Sequence, residues 1–178
     1  MFVKECDAVV CFPGGFGTLD EAMEVITLLQ TGKREMVPVV LIHPEGSSYW
    51  NHLHDFVVRE LLGGGMISPD DLHLYRITDN CADAVDEVLR FFRVYHSMRY
   101  VKNRLVFRLQ RELTATQLRR VNEAFLDLLS DGEFEQSGPL AEEEAEADLA
   151  GHTRLVFEFN RRAYGRLRQL IDHLNGIE

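Results

Sequence analysis

Pro13-Gly14-Gly15-Phe16-Gly17-Thr18-Leu19-Asp20-Glu21 is a glycine-rich turn set between two apolar patterns, and together they decide the fold. Upstream, Ala8-Val9-Val10-Cys11-Phe12 is a short continuous apolar run ended by Pro-Gly-Gly, the pattern of a central parallel strand buried on both faces. Downstream, Leu19, Met23, Ile26 and Leu29 recur at helical spacing, and Thr31-Gly32 predicts the helix end, where glycine supplies a cap. The turn is therefore a strand-to-helix connection.

The alternation continues outward. Val37 to Ile42 is a second apolar strand with Pro38 tolerated at its start. A helix is predicted from Ser48 to Leu62, ended by Gly63-Gly64-Gly65, then a strand from Leu72 to Ile77 and a helix through Ala84, Val85, Val88, Leu89 and Phe92. Strand and helix alternating over short connections is the signature of a parallel α/β sheet. From Arg99 the pattern changes. Leu105–Leu109 and Thr153–Phe159 read as strands, Ala115–Leu129 and Arg161–Leu174 as helices, making a small β-α-β-α unit. The expected division is residues 1–98 for the first domain and 99–178 for the extension, with 130–151 as an acidic linker, either a solvated loop or an exposed helix.

Composition narrows the function classes. The 178 residues are 46% hydrophobic, enough for a real core. The three cysteines, Cys6, Cys11 and Cys81, have neither the number nor the spacing of a disulfide framework or a zinc site, which fits a reducing cytoplasm. No apolar run approaches a membrane span of roughly 20 residues, so no membrane partner is expected. The formal net charge is −10, but seven acidic residues and no basic one lie between Glu133 and Asp148, and the rest of the chain is only mildly acidic. Arg93 to Arg120 holds eight basic residues and one acid, Glu112. This stretch is expected to form a solvated face or to pair with the acidic segment, and nucleic acid is not expected as a partner.

The chemistry is in the turn. Backbone amides at a helix N-terminus have no intrahelical acceptor and sit at the positive end of the helix dipole, so a phosphate is a natural ligand. Gly14, Gly15 and Gly17 would let it approach the backbone, Thr18 adds a hydroxyl, and Glu21 lies one turn on along the same side. The structural alternative is a capping box, Thr18 as N-cap and Glu21 as its partner three residues on. Elsewhere, His43 and Glu45 follow a strand's carboxyl end, where ligands bind in open α/β sheets, although a plain loop explains them too. His52 and His54 fall on opposite sides of a helix, so joint metal ligation is not expected.

Residues 13–21 resemble the PGGxGTxxE signature of the LOG (Lonely Guy) family, and the similarity runs on through Glu24-Val25-Ile26-Thr27, Gln30-Thr31-Gly32-Lys33 and Gly65-Met66-Ile67-Ser68-Pro69. The resemblance implies a Rossmann-like parallel sheet with flanking helices and, as activity, hydrolysis of the N-glycosidic bond of a nucleoside 5′-monophosphate such as AMP or a cytokinin riboside monophosphate. It implies Gly14, Gly15, Gly17 and Thr18 on the 5′-phosphate, Glu21 as catalytic carboxylate, no cofactor or metal, and a homo-oligomer. The family's essential arginine precedes the motif strand in an Arg-Lys-x-Met-type segment. Here the chain opens at Met1-Phe2-Val3-Lys4, at the methionine of that segment, so the sheet is expected to be incomplete at the N-terminus and the sequence reads as a shortened longer bacterial member, with a genuine short form as the alternative. Molybdenum-cofactor carriers resemble the same fold and turn, which makes a non-catalytic nucleotide or cofactor carrier the alternative function. Such sequences have also been labelled lysine decarboxylases; that chemistry needs a lysine bonded to pyridoxal phosphate, and Lys4, Lys33 and Lys102 have no matching context.

Overall fold

The computed structural model describes residues 5–143 and 146–177; the opening Met1–Lys4 segment and Glu144-Ala145 of the acidic stretch lie outside them. The chain forms two compact units, one of residues 1–90 and 163–169, the other of 91–162 and 170–178.

The first unit is α/β. Strands β1 (Val9–Cys11), β2 (Val39–Ile42) and β3 (Arg76–Thr78) form a parallel sheet in that order. All four β2 residues are buried, because a parallel strand with helices on both faces meets no solvent. Helices α1 (Phe16–Gln30) and α2 (Tyr49–Phe56) accompany the Leu41 face, and α3 (Cys81–Phe91) packs Ala84 and Val88 onto Val40 and Ile42 on the other. Two sequence expectations are corrected here. The central strand is β2; β1 pairs with β2 alone among the described residues, and its Val10 is 44% exposed. The expected strand at 72–77 begins only at Arg76, because Pro69 with Ser68 and Asp71 opens a 3-10 turn over Pro69–Leu74, closed by a reciprocal Ser68–Asp71 cap. The helix predicted to reach Leu62 does so as a π-helical continuation, Val57–Leu62, which Gly63–Gly65 then end, with Gly65 at φ +68°.

The first turns of α5 (Tyr164–Gly176) also belong to this unit. Arg168, 1% exposed, donates to Glu87 on α3 at 2.5 Å, and Gln169 donates to Asp70 at 2.8 Å. A Cβ on Gly165 would come within 2.3 Å of the Asp70 carbonyl oxygen, so only glycine permits the helix to lie on that backbone.

The second unit contains the expected strand–helix–strand series, the later turns of α5 and two further strands. Strands β4 (Tyr95–Val101), β5 (Arg104–Leu109), β6 (Leu129–Ser137) and β7 (Thr153–Phe159) form an antiparallel sheet in the order β4-β5-β7-β6, with α4 (Ala115–Phe125) between β5 and β6. The Thr114 hydroxyl accepts from the Gln117 amide and the Gln117 side chain accepts from the Thr114 amide, a capping box that fixes the start of α4. Tyr95, Phe107, Phe157 and Phe134 contact one another in series through the core with ring centroids 4.6–5.3 Å apart.

The acidic linker expected at 130–151 is corrected on two counts. Its first part is edge strand β6, and its second part is not simply solvated: Glu143 is 2% exposed. The Glu143 carboxylate accepts from Arg108 at 2.8 Å and from Arg154 at 2.8 Å, Arg108 and Arg99 also pair with Glu146, and Lys102 pairs with Glu142. Arg108 and Arg154 face one another across β5 and β7 in register, so one carboxylate satisfies both. The basic stretch thus meets the acidic one, as its charge pattern suggested.

Near this cluster His96 and His152 stack at 4.2 Å. Burial, then His152, Arg108 and Arg154, hold the His96 pKa below its ordinary 6.5. Between the two values the unfolded chain binds a proton that the folded one does not, so stability falls as pH drops below about 6.5 and levels off once folded His96 also protonates. Urea midpoints measured from pH 7.5 to 5 are expected to show this slope, and His96→Asn to flatten it.

Candidate functional site

Cys11 closes β1, and Phe12-Pro13 carry the chain to the turn. Gly15 is the N-cap of α1, extended at φ −88°, ψ −160°, and no side chain caps the helix. Its carbonyl accepts the first helical bond from the Leu19 amide at 3.2 Å. The amides of Phe16, Gly17 and Thr18 precede that bond and have no helical acceptor. The site is therefore an uncapped helix start at the carboxyl end of a parallel strand.

The capping-box reading of Thr18 and Glu21 is overturned, since the helix begins before Thr18 and Thr18 is its third residue. Instead the Thr18 side chain lies over Gly14: a Cβ on Gly14 would meet Thr18 Oγ1 at 2.1 Å and Thr18 Cβ at 2.8 Å. Gly14 is a requirement of the turn itself. Gly15 and Gly17 differ, because a Cβ on either would meet nothing within 4 Å. The fold has no need of glycine at those two positions.

Glu21 is exposed, one turn beyond Thr18, and makes no hydrogen bond or ion pair with the described residues. Its charge reaches the end of β1, where burial first and Glu21 second push the Cys11 thiol pKa up. Gly14, Gly15, Gly17, Thr18 and Glu21 thus share one short stretch of α1 and its approach.

Tyr49, at the first residue of α2, joins this group unforeseen. Its hydroxyl donates to the Gly14 carbonyl at 2.6 Å. Its aromatic character gives no hint of that, because the acceptor is a backbone carbonyl 35 residues away. His43 is 4% exposed with Nδ1 against the Pro44 carbonyl at 3.1 Å, while Glu45 is exposed in the following turn. His52 meets Ser48 and His54 meets the Tyr75 hydroxyl, so the two imidazoles serve separate contacts. Gly63–Gly65 end a helix and take no part.

Residues 1–88 match the model of a family described as "Possible lysine decarboxylase". The chain is 42% identical over 71 residues to cytokinin riboside 5′-monophosphate phosphoribohydrolase LOG1 of Arabidopsis thaliana, covering 40% of this chain and 32% of that protein. It is 32% identical over 85 residues to LOG5 of the same plant, covering 48% and 36%. To the probable phosphoribohydrolase LOGL3 of Oryza sativa subsp. japonica it is 33% identical over 93 residues, covering 52% and 42%. The chain thus spans about a third to two fifths of the length of these relatives. Residues 1–88, which match the family model, contain the glycine turn and α1, and the chain is similar over part of its length to LOG phosphoribohydrolases.

Proposed function

We propose that the first unit is the phosphate-binding and bond-cleaving part of a nucleoside 5′-monophosphate phosphoribohydrolase, acting on AMP or a cytokinin riboside monophosphate. The observation that carries this reading is Glu21, a carboxylate unused by the fold one turn from an uncapped helix start. The amides of Gly15, Phe16, Gly17 and Thr18, with the Thr18 hydroxyl, hold the 5′-phosphate. Glu21 then works at the ribose. As the bond from C1′ to the base nitrogen breaks with its electron pair leaving on the base, positive charge builds on the anomeric carbon and ring oxygen. The carboxylate stabilises that charge and orients the water that adds to C1′. The base takes a proton, and free base and ribose 5-phosphate leave.

The family's upstream arginine completes the site in this reading, and the working form is a homo-oligomer, checked by light scattering. The test incubates AMP with residues 1–178 and with a form extended by the Arg-Lys-x-Met-type segment, and measures adenine. Release by the extended form supports the hydrolase. Nucleotide binding without release by either form makes the protein a carrier.

Gly17 offers a test that separates ligand from fold. Gly17→Ala places a methyl group in open space and improves helix propensity by up to about 1 kcal/mol. The melting temperature is expected to hold or rise, while AMP affinity falls more than about tenfold because the methyl group occupies the phosphate's approach. Calorimetry on the variant reads both, and unchanged affinity would remove Gly17 from the site.

A further inference from the structure

The structure assigns Tyr49 as a positioning residue that fixes the Gly14–Gly15 peptide so that the Gly15 N–H faces the bound phosphate; this rests on the phosphate-turn reading above. In a trans peptide the C=O and N–H point in opposite directions. With the Gly14 carbonyl turned to the Tyr49 hydroxyl at 2.6 Å, the Gly15 N–H must point the other way, and it meets no acceptor among the described residues. Reversing this peptide would turn a carbonyl oxygen toward the anion instead of a donor. Two successive glycines make such a reversal cheap, because neither has a Cβ to oppose it. The orientation therefore needs an outside hold.

Tyr49 is itself firmly placed. Its ring lies edge-on to Trp50, with centroids 4.8 Å apart at 88°, and Trp50 is fully buried with its indole N–H donated to the Ile42 carbonyl at 2.9 Å. The Tyr49 amide donates to Ser47 Oγ at 3.3 Å. The hydroxyl is thus referenced to the carboxyl end of β2, and through it the glycine turn is referenced to the centre of the sheet. Thr18 already fills the space beside Gly14, so the turn is held on two sides and open on the third.

The test titrates the ¹⁵N-labelled full chain with inorganic phosphate and with AMP, following the Gly15 amide resonance and the dissociation constant in wild type, Tyr49→Phe and Tyr49→Leu. Phosphate is expected to move the Gly15 amide in wild type. Tyr49→Phe, which keeps the ring against Trp50, should bind about tenfold more weakly with an unchanged melting temperature. Tyr49→Leu should lose the same affinity and also melt lower. If Tyr49→Phe binds as wild type does while only Tyr49→Leu weakens, the ring packs and the hydroxyl positions nothing, and the inference falls alone. If wild type binds neither phosphate nor AMP, the phosphate reading falls and takes this inference with it.

Discussion

Glu21→Gln in the extended form is expected to slow adenine release from AMP by about 10²–10⁴-fold while leaving AMP affinity and melting temperature near their wild-type values. The split follows from what Glu21 does in the structure. It is exposed and pairs with no described residue, so the folded state loses nothing when its charge is removed. In the proposed function the phosphate is bound by the helix amides on the preceding turn, which the substitution leaves in place. On the proposed mechanism, only the charge that stabilises the developing oxocarbenium ion disappears, and that loss is felt in the transition state alone. Initial rates from a base-release assay, with calorimetric AMP binding, read the two quantities separately. Full activity in Glu21→Gln would remove the carboxylate from the reaction.

The second large effect is on stability. Glu143→Gln is expected to cost about 3–5 kcal/mol, because it leaves the Arg108 and Arg154 guanidiniums with their shared charge partner gone, and Arg154 is fully buried. Burial pushes the Glu143 pKa up, but the bonds from Arg154, the Leu140 amide and Arg108 outweigh it, and the net shift is below the ordinary 4.5. A carboxyl depressed in the folded state contributes stability that is present above its unfolded value and lost as pH falls through its folded one. Wild type should therefore lose stability in acid below about pH 4.5, and Glu143→Gln should show less of that slope from a lower starting point. Denaturant titrations across pH 3–7 on both proteins read the difference. Equal midpoints at neutral pH would show the ion cluster to be dispensable.

What the sequence disclosed depended on whether a pattern's cause was local. The turn, α1, β2 and α3 follow from apolar period and glycine placement, and both are written within a few residues. Edge strand β6 was hidden because Asp131, Glu133 and Glu135 are exposed and only Phe134 is fully buried, and charge is how an exposed sheet edge is kept from pairing further. Strand β4 was hidden because its irregular start between Tyr95 and Ser97 breaks the period-two pattern, and Arg99 on it pairs with Glu146 from a distant segment. In the site, the glycines, Thr18 and Glu21 were legible as a motif. Their division of labour was not, because it rests on what a Cβ would meet at each position.

The return of residues 163–169 to the first unit has a consequence for synthesis on the ribosome. The unit with the glycine turn is translated before the second unit, yet its Glu87 and Asp70 wait for Arg168 and Gln169, which are translated only after every strand of the second unit. Until then the first unit has its glycine turn and its sheet without the helix that lies across Asp70. Completion of the first unit thereby waits until the strands of the second have been translated, so a chain stalled or cleaved before Gly165 would carry the motif on an unfinished scaffold.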